Sequence, residues 1–167
     1  MTISGGEPFE QSEFLFALLE ELRGIHRAIE TSGYTSSNIF IKSLDYVDLM
    51  IMDIKHANPE IHKKITGADN KIILENLKIL KNSNMPFIIR VPLIPGINDG
   101  DENFRETAEL LAGSKNLIKV EFLPYNKFTK TKYISLGKKY EPVFDENMQT
   151  NINQEYFTKS GIRSVIL

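Results

Sequence analysis

Apolar and polar positions along this chain switch between a strand period and a helical one. Thr2 to Ser4 reads as the end of a buried strand, and Gly5-Gly6-Glu7-Pro8 comes directly after it. Pro8 fixes φ and stops that strand. From Ser12, which can cap a helix, Phe14, Leu15, Leu18, Leu19 and Leu22 make one broad helical stripe. Ile25 to Glu30 predicts a strand and Ser37 to Leu44 a short helix. Val47 to Ile54 is an almost unbroken apolar run, the signature of a strand buried on both faces. Asn58-Pro59-Glu60 opens a helix with Pro59 in its first turn, interrupted at Thr66-Gly67. Asn70 to Ser83 carries Ile73, Leu77 and Leu80 on one helical face. Phe87 to Ile94 reads as a strand, although Pro92 argues against a regular interior one. Past the turn at Pro95 to Gly100, Asn103 to Leu111 predicts a helix and Ile118 to Leu123 a strand. The lysine-rich stretch from Lys127 to Tyr140 has no clean period and reads as a solvated loop. Asp145 to Lys159 is expected to be helical through Met148, Ile152 and Tyr156, and Ile162 to Leu167 to be a last strand.

Strand and helix alternate throughout, which indicates an α/β fold with a parallel sheet and helical crossovers. Right-handed crossovers wind such units one way, into a barrel or an open sheet. At 167 residues, 41% hydrophobic and 25% charged, the chain suits a single domain spanning residues 1–167. The net charge of −2 gives no bulk attraction to nucleic acid or to an anionic membrane. No apolar run is long enough to span a bilayer and no secretory leader is visible, so the expected place is the cytoplasm. The sequence has no cysteine. That excludes disulfides, thiolate nucleophiles and any iron–sulfur cluster ligated by these residues.

Polar residues recur where strands finish: Gly5, Gly6 and Glu7 after the first, Glu30 and Thr31 after the second, Asp53 and Lys55 after the third, Arg90 on the fourth, Tyr125 and Asn126 after the fifth. In a parallel barrel those ends lie on one face, where sites are built. Gly5 and Gly6 expose bare backbone beside the Glu7 carboxylate, a surface suited to a small cationic group. Asp53 and Lys55 share a face of their strand, and burying them is costly unless they pair or bind something. They can close the barrel mouth as an ion pair, and Lys55 can also serve as a Schiff-base lysine. Arg90 can pair with Asp53 or Glu30, or grip a ligand carboxylate with two hydrogen bonds. His26, His56 and His62 are not spaced as a metal set and read as structural or surface groups.

Taken in order, Ile3-Ser4-Gly5-Gly6-Glu7-Pro8, Glu30-Thr31-Ser32-Gly33-Tyr34, Asp53-Ile54-Lys55-His56, His62 with Thr66-Gly67, Asn70, Ile89 to Asp99 and Leu123-Pro124-Tyr125 resemble the activating enzymes of glycyl radical enzymes, of the pyruvate formate-lyase activase type within the radical S-adenosylmethionine superfamily. The resemblance implies a partial (β/α) barrel. It implies a 4Fe–4S cluster held by a Cys-x3-Cys-x2-Cys loop after the family's first strand, and S-adenosylmethionine as the source of a radical that removes a hydrogen from a glycine of a partner enzyme. It also implies an electron donor such as flavodoxin or ferredoxin. By similarity, Gly5, Gly6 and Glu7 hold the ligand's amino group, and Asp53, Lys55 and Arg90 contact its ribose and carboxylate. Glu30, Thr31 and Asp53 match positions around a monovalent cation, with Glu30 where an Asp is found. The family's Leu-Pro-Tyr/Phe-His is Leu123-Pro124-Tyr125-Asn126 here, so an amide replaces an imidazole; Asn126 can still hydrogen-bond a ribose hydroxyl.

The cysteine loop and the family's first strand have no counterpart in this sequence. The expectation is therefore the body of an activase truncated at its N-terminus, inactive without the cluster loop. The alternative is a non-catalytic barrel that binds a nucleotide or a partner. A barrel cut before its first strand leaves Thr2 to Ser4 as an unpaired edge, which is expected to be hidden by self-association, a swapped segment or packing.

Overall fold

A computed structural model describes residues 1–126, 128–142 and 144–167. Six parallel strands form one sheet in the order of the chain: β1 (Thr2–Ile3), β2 (Ala28–Thr31), β3 (Leu49–Asp53), β4 (Phe87–Leu93), β5 (Leu117–Pro124) and β6 (Ser164–Ile166). Each strand pairs with its sequence neighbour, while β1 and β6 do not pair with each other, so the sheet is an open, partial barrel. A single 3-10 turn, Pro8–Gln11, leads into α1 (Ser12–Glu21). The other helices are α2 (Ser37–Ser43), α3 (Pro59–Thr66), α4 (Lys71–Asn82), α5 (Asp101–Leu111), α6 (Phe128–Ser135) and α7 (Glu155–Lys159).

Strand alternation divides the sheet into two unlike faces. One carries Ile29, Met50, Met52, Ile89, Val91, Val120 and Phe122, and these pack with Leu15, Leu19, Phe40, Leu77, Leu80, Phe104, Leu111 and Phe157 into the main core. The register puts Glu30, Ile51, Asp53, Ile88, Arg90, Lys119 and Glu121 together on the opposite face. Helices cover the first face, and ionised groups populate the second.

Capping explains where several helices begin and end. The Asn58 side chain accepts from the amides of Glu60 and Ile61 at the start of α3, and Gly67 ends that helix in the left-handed region at φ 88°. Four expectations are corrected. The second strand begins at Ala28, because Ile25 is exposed and outside the sheet. Phe14 on α1 is exposed; Leu15 and Leu19 carry that helix into the core. Phe128–Ser135 is a helix rather than the expected loop; Lys127, at the start of that stretch, lies outside the described residues. Asp145 to Lys159 is helical only over Glu155–Lys159, and Met148 is exposed. Upstream of α7 the Asn151 amide donates to Asp99 Oδ2 at 2.8 Å and the Asn153 side chain to Asp101 Oδ1 at 3.0 Å, so these groups serve partners 52 residues away instead of a local helix.

Pro92 sits within β4 without breaking it. Arg90 O accepts from Ile54 N on the β3 side. Two residues on, Pro92 turns its missing N–H to the same side, beyond the last β3–β4 pair at Asp53 and Arg90.

Candidate functional site

The turn after β1 is held by its own carboxylate. Glu7 Oε1 accepts from Thr31 Oγ1 at 2.6 Å, and Glu7 Oε2 accepts from the amide and hydroxyl of Ser32. The Phe9 amide donates to Oε1 as well, at 3.3 Å. Glu7 thus ties the turn to the end of β2. Gly5 and Gly6 have φ of 100° and 55°, and a Cβ at either would meet nothing within 4 Å. The turn presents backbone to open space, in conformations other residues adopt only under strain.

The loop after β2 is equally fixed. Thr31 Oγ1 accepts from the Gly33 amide, and Asn76 on α4 donates to the carbonyls of Gly33 and Thr35. Gly33, at φ 74°, packs against Met52: a Cβ there would lie 2.4 Å from the Met52 methyl.

On the charged face Arg90 lies between two carboxylates. Its Nη1 meets Glu30 Oε1 at 2.6 Å, and its Nε donates to Glu121 Oε2 at 2.8 Å. Lys119 Nζ takes the other Glu121 oxygen at 2.8 Å. Burial pushes the Glu121 carboxyl up, but the hydrogen bonds from Lys119 and Arg90 outweigh that and hold it below its ordinary value. Lys55 Nζ lies 3.3 Å from Asp53 Oδ2, while Asp53 Oδ1 is buried with no hydrogen-bond partner among the described residues. Burial, with a further push from Glu30, raises the Asp53 carboxyl above its ordinary value against the pull of Lys55 and Arg90. A buried carboxylate oxygen with no donor is ready to accept one.

Asn98 clamps the segments above β3 and β4. Its amide nitrogen donates to Lys55 O and Pro92 O, and its oxygen accepts from Ile94 N at 2.6 Å. Asn103 extends the clamp, accepting from Ala57 N and donating to Asn98 O. His56 and His62 are buried and hydrogen-bonded to backbone; burial, then the neighbouring His62, keeps the His56 imidazole neutral to lower pH. At the ends of β4 and β5 opens a cavity of about 680 Å³, lined by Pro92, Leu93, Leu123, Pro124, Tyr125, Asn126, Tyr140 and Phe144 among others. Tyr125 Oη donates to Glu146 Oε1 and meets Tyr140 Oη at 2.6 Å; burial and these contacts push its phenol well up.

The structure brings Glu30, Asp53, Lys55 and Arg90 together on one face of the sheet and ties Glu7, beside Gly5 and Gly6, to the end of β2, whereas Asn126 lines the cavity past β4 and β5, whose lining includes none of the others. It turns Thr31 away from Glu30 and Asp53, with its hydroxyl on Glu7. Sequence reasoning misses Glu121 and Lys119 on the charged face and Asn98 in the turn past β4. Lys119 and Glu121 are two apart on an interior strand, the same signal that singles out Asp53 and Lys55.

The Radical SAM superfamily profile matches residues 1–111. The chain is 41% identical over 145 residues to a 4-hydroxyphenylacetate decarboxylase activating enzyme of Clostridioides difficile strain 630, covering 84% of this chain and 46% of that protein. It is 37% identical over 177 residues to a (2S)-3-sulfopropanediol dehydratase activating enzyme of Klebsiella oxytoca, covering 99% of this chain and 56% of the relative. The chain thus spans about half the length of the curated relatives it matches. Among solved structures, a domain of pyruvate-formate lyase-activating enzyme from Bacteroides vulgatus superposes with a TM-score of 0.80 at 26% identity, covering 100% of this chain and 98% of that one.

Proposed function

Because the chain belongs to the radical SAM superfamily, we propose that it is the ligand-holding body of a glycyl-radical-enzyme activating enzyme. The superfamily uses S-adenosylmethionine with a 4Fe–4S cluster; in an activating enzyme this pair would supply the radical that takes hydrogen from a partner's glycine. Residues here fit the nucleoside. The exposed backbone of the Gly5–Gly6 turn suits its ammonium, with Glu7 adding negative charge while anchoring the turn. The unpartnered Asp53 Oδ1 can accept from a ribose hydroxyl, Lys55 and Arg90 can meet the carboxylate, and Asn126 can reach a ribose hydroxyl. Glu30, Asp53 and the backbone at Thr31 can share a monovalent cation. The cavity at β4 and β5 adds apolar walls of a size small ligands use.

These residues do not fit the cluster, because with no cysteine the chain offers it no thiolate. The activity therefore needs a cysteine-bearing segment that these residues do not include, together with an electron donor such as flavodoxin or ferredoxin and a glycyl radical partner of the pyruvate formate-lyase kind. The convergence of Glu30, Asp53 and Arg90 on one face beside the Gly5–Gly6 turn carries this reading.

The test is a fusion of this chain to the cysteine-bearing segment of a glycyl-radical-activating relative, loaded with iron and sulfide under reductant. Cleavage of S-adenosylmethionine to 5′-deoxyadenosine, with an electron paramagnetic resonance signal on an added glycyl radical enzyme, is the expected result. A cluster-loaded fusion that binds S-adenosylmethionine without cleaving it would sink the reading. The absence of cysteine also favours a second reading, a barrel that only binds a nucleotide or a partner. That reading predicts nucleoside binding by the chain alone, with no gain on fusion.

A further inference from the structure

We infer that Glu121, with Lys119 behind it, is the positioning residue that aims Arg90 at the carboxylate of the bound ligand; this rests on the proposed function above. A guanidinium grips a carboxylate well only when its plane is fixed beforehand, because freezing a swinging arginine costs conformational entropy. Arg90 meets that condition. Glu121 takes its Nε and Glu30 takes its Nη1, which leaves the Nη2 edge without a partner among the described residues. The two anchors differ. The side chain of Glu30 is 32% exposed, and it sits at a strand end where a cation or ligand can compete for it. Glu121 is only 5% exposed, is locked on its other oxygen by Lys119, and is paired in register with Arg90 on the adjacent strand. Glu121 can therefore hold the guanidinium plane whether or not Glu30 is engaged elsewhere.

A merely structural role for Glu121 would change stability, or affinity for every ligand alike. A positioning role changes affinity only for ligands that carry a carboxylate. The test uses this chain, with equilibrium dialysis of S-adenosylmethionine against 5′-methylthioadenosine, which keeps the nucleoside and lacks the ammonium and carboxylate. The Arg90 Nε–H resonance in nitrogen-15-labelled protein reads the anchor directly. Glu121→Gln is expected to move that resonance and speed its exchange with water. It is expected to weaken S-adenosylmethionine about tenfold, the scale of one hydrogen bond to a charged group, and to leave methylthioadenosine unchanged. In an Arg90→Gln background the same substitution is expected to cost nothing further. Should Glu121→Gln fail to fold, Glu121→Asp keeps the charge and withdraws it by one methylene, and the same pattern is expected. Unchanged S-adenosylmethionine affinity in a folded variant, or equal loss of both nucleosides, overturns the inference and leaves the proposed function standing. A wild-type chain that binds neither nucleoside overturns the function's ligand reading, and this inference with it.

Discussion

Asp53 offers one oxygen to Lys55 and holds the other buried and unpartnered. Such a group stores a cost in the free protein that a ligand donor can relieve. Its folded carboxyl lies above the ordinary value of 3.8, with burial the largest cause. Between the unfolded and folded values the native state binds more protons than the unfolded chain, so stability falls as pH rises through that window. Asp53→Asn is therefore expected to stabilise the free chain by about 1 kcal/mol at neutral pH. The gain should shrink toward zero below about pH 4, where Asp53 is protonated in both states. Urea melts across pH check this. A destabilised variant at neutral pH would show that the Lys55 contact outweighs the desolvation.

At the scale of elements, Asn98 joins the loop leaving β3 to the loop leaving β4 with three hydrogen bonds and is 1% exposed. Asn98→Ala strands two carbonyls and one amide in a buried place, and should cost about 2–4 kcal/mol in chemical denaturation. Asn98→Asp should be worse, because its carboxylate faces the Lys55 and Pro92 carbonyls that the native amide satisfies. Equal cost for the two variants would mean that water enters the clamp. Local signals made some elements readable. Asn58, Pro59 and Gly67 bracket α3 by capping chemistry that acts within a few residues, and the apolar run of β3 needs only its own composition. The failures share a different cause. Residues 145–154 have a helical apolar period, but Asn151 and Asn153 spend their hydrogen bonds on Asp99 and Asp101, a pairing no local window contains. The candidate site was legible in the same measure. Strand-end polar residues stood out against apolar runs, whereas Glu121 and Lys119 lie further down their strand, and their role is set by Arg90 on the next one.

For the whole molecule, the open sheet leaves two borders. β1 is two residues long and among the described residues pairs only with β2, and β6 is three residues long, with Ile166 on it and Leu167 after it exposed at 51% and 60%. Unpaired peptide groups beside apolar side chains recruit other strands. Sedimentation is expected to show concentration-dependent association of the isolated chain, and Ile166→Lys to shift it toward monomer by placing a charge on the β6 border. Association unaffected by Ile166→Lys would point to β1 as the adhesive border, and Thr2→Pro, which also removes a backbone donor, would then be the substitution that disperses it.

The two unlike faces of the sheet bear on how such a scaffold can diversify. Neighbouring letters of a strand answer to different demands: Ile89 and Val91 pack into the core, while Arg90 between them carries the ion pairs of the opposite face. A lineage can therefore rewrite every second strand position to suit a new guest while the alternate positions go on sealing the helices to the sheet.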